Sequence, residues 1–191
     1  PMRIIFLGTS EFAVPALKAT KEQTDWEILA VVSEPAKPQG RKNKIVDSPI
    51  AQYAKSAGLN LIAPNALLSL DLKNSDVGVV AAYGRIIPKN IISGPRMGII
   101  NIHPSLLPKL RGPSPIQAAL LNGLKETGVS LMLIDEKIDH GQIIARDPLL
   151  VLQTDDYFSL ELKLAELGAK MIARDLSKYV SGEIKPQDQN H

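Results

Sequence analysis

Strand-like and helix-like segments alternate along this chain of 191 residues. Residues 3–7, 28–32, 77–82 and 97–101 form short, almost entirely apolar runs. Runs of this length and composition are typical of strands that are buried on both faces of a parallel sheet. The segments between them carry apolar residues at helical spacing or open on Ser-Pro pairs, which favour the first turn of a helix. The sequence therefore predicts an α/β, Rossmann-like domain with a mostly parallel sheet and helices on both faces.

The second half of the chain sets the expected limits of this domain. Residues 129–134 form another strand pattern, residues 142–152 favour edge strands because Pro148 interrupts them, and an amphipathic helix opens near Asp155. Residues 184–191 are polar and favour the start of a linker. We therefore expect one domain over residues 1–183, with residues 184–191 leading toward a C-terminal domain that this sequence does not contain.

Composition narrows the classes of protein that fit. Apolar residues make up 45% of the chain and charged residues 22%, which is the balance of a globular protein. No apolar run reaches the roughly 18 residues that a membrane helix needs, so we expect no membrane segment. Cysteine is absent, which excludes disulfides, thiolate metal sites and cysteine nucleophiles and is consistent with a cytoplasmic protein.

Three polar loops follow buried strands and define the expected site. Gly8-Thr9-Ser10, Tyr83-Gly84-Arg85 and Asn101-Ile102-His103 come at the ends of strand patterns, where sheets of this class bind ligands. The first loop has one glycine where a dinucleotide site would have G-x-G-x-x-G. The sequence therefore lacks the main motif that would indicate a nicotinamide-dependent dehydrogenase. That loop is either a tight turn or a ligand-contacting segment, and the residues do not decide between the two.

Asn101 and His103 are the strongest candidates for chemistry. They are two residues apart, so they share one side of an extended segment. Pro104 favours an extended His103, and Pro108 stiffens the following turn. An amide and an imidazole side by side could polarise a carbonyl group and stabilise its oxyanion. The alternative is a loop-capping asparagine beside an ordinary histidine, and the proline-bracketed position favours the first interpretation.

An acidic loop follows residues 129–134. It contains Asp135, Glu136 and Asp139, and one of these acids facing His103 would hold the imidazole as a proton carrier. Spacing alone does not choose among the three, and a solvated turn is the alternative. We expect no metal here, because Asp139 and His140 are adjacent and would diverge, and no ligand set has a known metal-binding spacing.

A basic segment lies between residues 34 and 47. Residues 37–44 contain Lys37, Arg41, Lys42 and Lys44 and no acidic residue. A connection of this length is usually either mobile or functional. The charge is equally consistent with a solvated loop and with an arm that binds the phosphates of a nucleic acid.

The sequence resembles the methionyl-tRNA formyltransferase family over essentially its whole length. The resemblance is carried by residues 3–17, 44–50, 82–88 (Ala-Tyr-Gly-Arg-Ile-Ile-Pro), 101–108 (Asn-Ile-His-Pro-Ser-Leu-Leu-Pro), 111–117 and 126–129. The Asn-x-His-Pro-Ser-Leu-Leu-Pro element is shared with the wider superfamily of folate-dependent formyltransferases. The opening segment and the basic segment point more narrowly to the tRNA enzymes.

The resemblance implies a direct transfer of the formyl group of 10-formyltetrahydrofolate to the α-amine of methionyl initiator tRNA. The family's catalytic residues fall on Asn101, His103 and Asp139, which selects Asp139 from the acidic loop. The residues implied for the folate pocket are Tyr83, Gly84, Arg85, Ile86, Ile87, Ser105, Leu106, Leu107, Pro108 and Asp135. Arg41, Lys42 and Lys44 would contact the acceptor end of the tRNA, and we expect a monomer.

The chain departs from the family pattern at three positions. Lys137 and His140 stand where the family more often has Gly and Thr, and Leu110 replaces a residue that is often aromatic. Two other functions share much of the pattern. One is a formyltransferase or formyl-folate hydrolase that acts on a sugar nucleotide or another small acceptor. The other is a non-catalytic Rossmann-like binding module, which would not require the Asn-x-His pair to meet the acidic loop.

Overall fold

A computed structural model describes residues 1–190 of the chain. The strands are β1 (Met2–Gly8), β2 (Trp26–Val32), β3 (Lys37–Gln39), β4 (Lys44–Val46), β5 (Leu61–Ile62), β6 (Val77–Ala81), β7 (Ile99–His103), β8 (Glu126–Leu133) and β9 (Ile143–Leu150). The helices are α1 (Val14–Glu22), α2 (Pro49–Ser56), α3 (Lys89–Ile92), α4 (Pro115–Leu121) and α5 (Tyr157–Val180), with 3-10 turns at Glu11–Ala13, Pro64–Ser69 and Leu72–Asn74. The α/β class predicted from the sequence is confirmed.

The central sheet has seven strands in the order β5-β2-β1-β6-β7-β8-β9. The first five of these are parallel, whereas β8 and β9 run antiparallel to their neighbours. The chain moves outward from β1 to β2 and β5 and then returns to place β6 on the other side of β1. The strand order therefore reverses between β1 and β6, and open α/β sheets bind their ligands at the carboxyl ends of the strands beside such a point.

The two faces of the sheet are covered unequally. On one face, α1, α2, α4 and α5 bury Leu17, Ile50, Ile116 and Leu164 in the larger apolar core. On the other face, the smaller core is closed by the 3-10 turns Pro64–Ser69 and Leu72–Asn74 and by the four-residue α3. Helical elements thus lie on both faces, as predicted, but one cover is thick and the other is thin.

Helix α5 fixes the strand that carries the candidate catalytic pair. A Cβ atom at Gly168 of α5 would lie 2.7 Å from the Ile102 side chain of β7, so only glycine allows this close approach. Because side chains alternate along a strand, Ile102 faces α5 while Asn101 and His103 point to the thin face. The tight packing on one side of β7 therefore holds the polar residues on its other side.

The starts of α2 and α5 have local causes. Ser48 Oγ accepts a hydrogen bond from the Ala51 amide at 3.0 Å, and Pro49 occupies the first turn, as the Ser-Pro pattern predicts. At α5, Asp156 and Ser159 form a reciprocal capping box. Each cap satisfies amide groups that have no partner inside the helix.

Two segments expected to be irregular are structured. The basic segment is a two-stranded antiparallel hairpin, β3–β4, with Gly40 and Asn43 in the left-handed region at its turn. The residues after α5 return to the sheet, where Gln187 pairs with Ile143 through backbone hydrogen bonds of 2.7 and 2.9 Å. Among residues 1–190, no helix has the length and apolar character needed to cross a membrane.

Candidate active site

A cavity of about 870 Å³ opens at the carboxyl ends of β6 and β7. Its walls come from residues 82–89 after β6, residues 101–104 of β7 and its exit, and residues 134–139 of the acidic loop. The 3-10 turns of the thin face pack on β1, β2 and β6, so that the face of β7 beside them is lined by loops. The strand-end loops singled out in the sequence therefore meet in one place.

His103 lies in this wall, and only 4% of its surface is exposed. Its Nε2 atom is 3.0 Å from the carbonyl oxygen of Leu110. Because a carbonyl oxygen only accepts, Nε2 must carry the proton in this contact. The other ring nitrogen, Nδ1, lies 3.7 Å from Asp139 Oδ1. The imidazole is therefore anchored at one nitrogen and presents the other to a carboxylate.

Asp139 is held both at its carboxylate and at its backbone carbonyl. Its Oδ2 atom accepts a hydrogen bond from the Gly112 amide at 2.8 Å, and its carbonyl oxygen accepts one from the Gln189 side chain at 2.9 Å. Its φ of 50° lies in the left-handed region, which a non-glycine residue occupies only when its surroundings enforce it. The position of this carboxylate is thus set by several separate contacts.

The acidic loop reaches His103 by running back along the direction of β7. Since β8 is antiparallel to β7, its last residue, Leu133, pairs with Ile100 near the start of β7. The loop returns to β9 at Gly141, where a Cβ atom would lie 1.7 Å from the Leu133 carbonyl oxygen. Only glycine can close the loop there, and the closed loop places Asp139 beside the end of β7.

Asn101 also lines the cavity, on the same side of β7 as His103. It lies within the strand, paired with Val80 of β6 and Met132 of β8. The structure therefore brings Asn101, His103 and Asp139 to one cavity.

The turn after β6 is braced by its neighbours. The Tyr83 carbonyl accepts a hydrogen bond from Thr9 Oγ1 at 2.9 Å, and Arg85 forms a two-point ion pair with the largely buried Glu34. Hydrogen bonding to the Arg85 guanidinium holds the pKa of Glu34 below its ordinary value. Burial raises the pKa of the Tyr83 hydroxyl. Of the two residues that follow Gly8, Thr9 therefore supports the neighbouring turn, and Ser10 lines the cavity.

The residues expected to bind folate divide into two groups. Tyr83, Gly84, Arg85, Ile86, Ile87 and Asp135 all line the cavity. Ser105, Leu106, Leu107 and Pro108 lie outside its lining. Ser105 and Leu107 are buried beneath the site, where Ser130 Oγ accepts a hydrogen bond from the Leu107 amide at 3.0 Å and donates one to the Ser105 carbonyl at 2.7 Å. This second group supports the turn that carries the Leu110 carbonyl to His103.

Sequence reasoning missed part of the wall. Phe12, Lys89, Gln117, Tyr157 and Glu161 also line the cavity. The Tyr157 hydroxyl donates to Glu161 Oε2 at 2.6 Å, and burial, together with this carboxylate, raises the pKa of Tyr157 to about 12. The one available signal was the spacing of four residues at the start of α5, which places two polar side chains on one face of a helix.

The basic residues form a separate feature. Arg41 and Lys42 lie at the exposed turn of the β3–β4 hairpin, and Lys44 begins β4; none of the three lines the cavity. Lys37, at the base of the hairpin, is 3.5 Å from Glu34, the partner of Arg85. The hairpin is therefore joined to the cavity wall through one shared carboxylate. Across residues 1–190, no group of three His, Asp or Glu side chains is arranged to hold a metal ion.

Comparison with known proteins places the chain among its relatives. A family model described as formyl transferase matches residues 2–176. The chain belongs to the formyl transferase family. This family member is 42% identical over 195 residues to the methionyl-tRNA formyltransferase of Caldanaerobacter subterraneus subsp. tengcongensis, with 98% of this chain and 63% of that protein covered.

Further comparisons agree on the family and the fold. The methionyl-tRNA formyltransferase of a Hydrogenobaculum species is 42% identical over 194 residues, with 100% of this chain and 64% of that protein covered. The chain thus spans less than two thirds of the length of either relative. Glycinamide ribonucleotide transformylase 1 from Symbiobacterium toebii has the same fold as this formyl transferase, with a TM-score of 0.80 at 20% identity, covering 98% of this chain and 94% of that one. The Rossmann-like fold expected from the sequence is confirmed.

Proposed function

We propose that this chain catalyses the transfer of a formyl group from 10-formyltetrahydrofolate to the α-amine of methionyl initiator tRNA. The observation that carries the proposal is the meeting of Asn101, His103 and Asp139 at one cavity, with His103 Nδ1 at 3.7 Å from Asp139 Oδ1. An amide donor can stabilise the oxyanion of acyl transfer, and an imidazole beside a carboxylate can carry the proton that an attacking amine loses.

The cavity suits a ligand of the size and character of a reduced folate. Its volume is within the range of small-molecule sites. Ile86 and Ile138 line it and are 94% and 79% exposed, which is unusual for side chains of this size. A flat heteroaromatic ligand between residues 84–87 and 134–138 would cover both side chains and gain from the apolar contact. The donor supplies the formyl group when it is bound.

We propose that Asn101 stabilises the negative charge that develops on the formyl oxygen. Transfer begins when the neutral amine of the acceptor attacks the formyl carbon, and charge then collects on the formyl oxygen. Asn101 lines the cavity on the same side of β7 as His103, and the strand is packed closely against α5 at Ile102. A fixed donor of this kind stabilises charge without having to reorganise.

We assign to His103 and Asp139 the transfer of the proton from the acceptor amine to the folate nitrogen. As the new C–N bond forms, the acceptor amine must lose a proton, and the folate nitrogen must gain one as its own bond to the formyl carbon breaks. Since Nε2 of His103 donates to Leu110, the neutral ring has its lone pair on Nδ1, which can accept the proton. Asp139 then faces the protonated ring and stabilises its charge until the proton passes to the leaving nitrogen.

The acceptor is assigned from the relatives and from the hairpin. Both relatives described above carry the name methionyl-tRNA formyltransferase. Arg41, Lys42 and Lys44 lie on a projecting two-stranded element outside the cavity, where phosphates of a long acceptor would pass. We further propose that the enzyme acts as a monomer in the cytoplasm, where charged tRNA and folate meet.

One assay tests the proposal directly. The chain is incubated with 10-formyltetrahydrofolate and methionyl initiator tRNA, and with free methionine as the matched acceptor that lacks the tRNA. We expect formylation of the tRNA-bound methionine, with release of one tetrahydrofolate for each formyl group transferred. Equal formylation of free methionine would assign the enzyme to small acceptors, and formate release without transfer would assign a hydrolase.

A further inference from the structure

The segment that follows α5 ends against the candidate active site. Gln189 lies on this segment, is only 5% exposed, and hydrogen bonds to both stretches of chain that hold Asp139. We propose that Gln189 is a positioning residue that fixes the Asp139 carboxylate for proton transfer. This inference rests on the proposed function, because Asp139 is assigned its role there.

Every donor and acceptor of the Gln189 side-chain amide has a hydrogen-bond partner. Its Oε1 atom accepts hydrogen bonds from Arg111 Nε at 3.2 Å and Nη2 at 2.7 Å. Its Nε2 atom donates to the carbonyl oxygens of Asp139 and Gly141, each at 2.9 Å. A glutamine side chain has two donor hydrogens and two acceptor lone pairs, so all four are satisfied. The contacts also fix the orientation of the amide, because only Nε2 can face two carbonyl oxygens.

These bonds act where the chain conformation needs support. Asp139 has a φ of 50°, and a left-handed non-glycine residue persists only when its surroundings enforce it. The direction of the Asp139 carbonyl sets the ψ angle of that residue, and the Gly141 carbonyl lies two residues further along. Gln189 holds both carbonyls and thereby fixes the turn from which the Asp139 side chain projects.

The same glutamine connects the two sides of the carboxylate. Arg111, which binds its oxygen, directly precedes Gly112, whose amide donates to Asp139 Oδ2 at 2.8 Å. One side chain therefore ties the backbone that carries Asp139 to the backbone that receives its carboxylate. A displacement of even about 1 Å at a reacting group can cost as much as a hundredfold in rate, so this connection acts on turnover.

Three variants separate positioning from general support. Gln189→Met keeps the length of the side chain and removes every hydrogen bond. Gln189→Glu keeps the acceptor for Arg111 but turns an oxygen toward two carbonyl oxygens. Gln187→Met is the matched control, because Gln187 lies two residues away on the same segment and is exposed, with its backbone paired to Ile143.

We expect both Gln189 variants to lower kcat for methionyl-tRNA about tenfold or more, with the KM for the tRNA within about twofold and Gln187→Met close to wild type. In an Asp139→Ala background, Gln189→Met should cause no further loss of kcat, because its effect passes through Asp139. A purely structural role would instead lower the thermal midpoint and reduce kcat by the same factor in both backgrounds.

A second measurement is independent of the reaction. We expect the Gly112 amide to exchange its hydrogen faster with solvent in Gln189→Met than in wild type or Gln187→Met, as followed by NMR. A wild-type chain that transfers no formyl group would overturn the proposed function. The exchange of the Gly112 amide would still test whether Gln189 positions Asp139. Wild-type kcat in Gln189→Met, or unchanged protection at Gly112, would overturn the positioning role.

Discussion

His103, to which we assign proton transfer, is held in one orientation by its neighbours. The Leu110 carbonyl oxygen accepts a hydrogen bond from Nε2–H of His103, and this carbonyl is presented by a residue whose φ is 55°. The turn that carries it is held by Ser105, whose hydroxyl donates to the Lys109 carbonyl at 2.6 Å. The buried residues of this turn thus decide which nitrogen of His103 faces Asp139 and the cavity.

The role proposed for His103 gives the first prediction. In His103→Gln, the side chain retains an amide N–H that can reach the Leu110 carbonyl but has no nitrogen that exchanges a proton. We expect kcat for formyl transfer to fall by about a hundredfold or more. Turnover should be measured beside the urea unfolding midpoint, which shows whether the fold is kept. A variant with wild-type turnover and a normal midpoint would remove His103 from the mechanism.

Sequence alone could identify some of these residues and not others. Asn101 and His103 could be paired from their spacing, because residues two apart share a side of any strand. Asp139 could not be chosen from spacing, since its position depends on a loop that runs back along a sheet of unknown strand direction. Gln189 carried no signal, because its partners lie on two other segments distant in the chain.

At the scale of elements, the β3–β4 hairpin combines exposure with concentrated charge. Its register pairs Gln39 with Lys44, which leaves Arg41 and Lys42 at the tip. The sequence suggested an irregular loop because the segment lacks the apolar alternation that marks a strand that packs on a core. A short hairpin with both faces in solvent does not need that alternation, so its strands were not predicted.

The hairpin gives the second prediction. We expect Arg41→Glu combined with Lys42→Glu to weaken binding of methionyl-tRNA about tenfold or more at low salt and to reduce the salt dependence of binding. Binding of tetrahydrofolate should be unchanged, because neither residue lines the cavity. Lys21→Glu combined with Lys170→Glu, on α1 and α5, is the control with the same change in charge. Equal losses in both double variants would mean that net charge alone is responsible.

The N-terminal end of α5 gives a third prediction, which concerns acid stability. The Lys163 ammonium group hydrogen bonds to Asp155 at 2.5 Å and, together with hydrogen bonds from the Leu152 amide and the Ser159 hydroxyl, lowers the pKa of that carboxyl from 3.8 to about 2. Because the folded pKa is the lower one, this stabilisation is fully present above about pH 4 and is lost as the pH falls toward about 2. Asp155→Asn should therefore show a shallower loss of unfolding free energy over that interval.

Urea unfolding at a series of pH values checks this expectation. Lys163→Met removes the partner instead of the carboxyl and should also flatten the curve over the same interval. If the wild type and both variants lost unfolding free energy equally between about pH 4 and 2, the ion pair would make no contribution to acid stability.

At the scale of the whole molecule, the sheet is covered unequally: the thick cover supports β7, and the thin cover leaves room for a ligand at the strand ends. The helices on the thick face bury the larger core and hold β7 through the contact of Gly168 with Ile102. The cavity is lined mainly by loops at the strand ends, and the first turns of α4 and α5 on the thick face add Gln117, Tyr157 and Glu161 to its wall. The alternation of apolar runs could predict two covered faces, but the depth of each cover depends on 3-10 turns that have no periodic signal.

This division gives the fourth prediction. A ligand that binds the folded cavity stabilises the whole domain, by about 2.7 kcal/mol at a hundred times its Kd. For a domain of this size, that corresponds to a rise in Tm of roughly 5–10 °C. We expect tetrahydrofolate to raise Tm by this amount in the wild type and in the hairpin double variant alike. A rise abolished by the hairpin changes would place the folate outside the cavity.

The reversed direction of β8 has a consequence for how this protein can vary. The loop that carries Asp139 must span the distance from the level of Ile100 to that of His103, and each extended residue covers at most about 3.6 Å. One residue more or fewer would therefore move the carboxylate by about as much as the 3.7 Å that now separates it from the imidazole. Active descendants of this sequence should therefore keep the length of the loop, together with Asp139 and Gly141, while the other side chains along it change more freely.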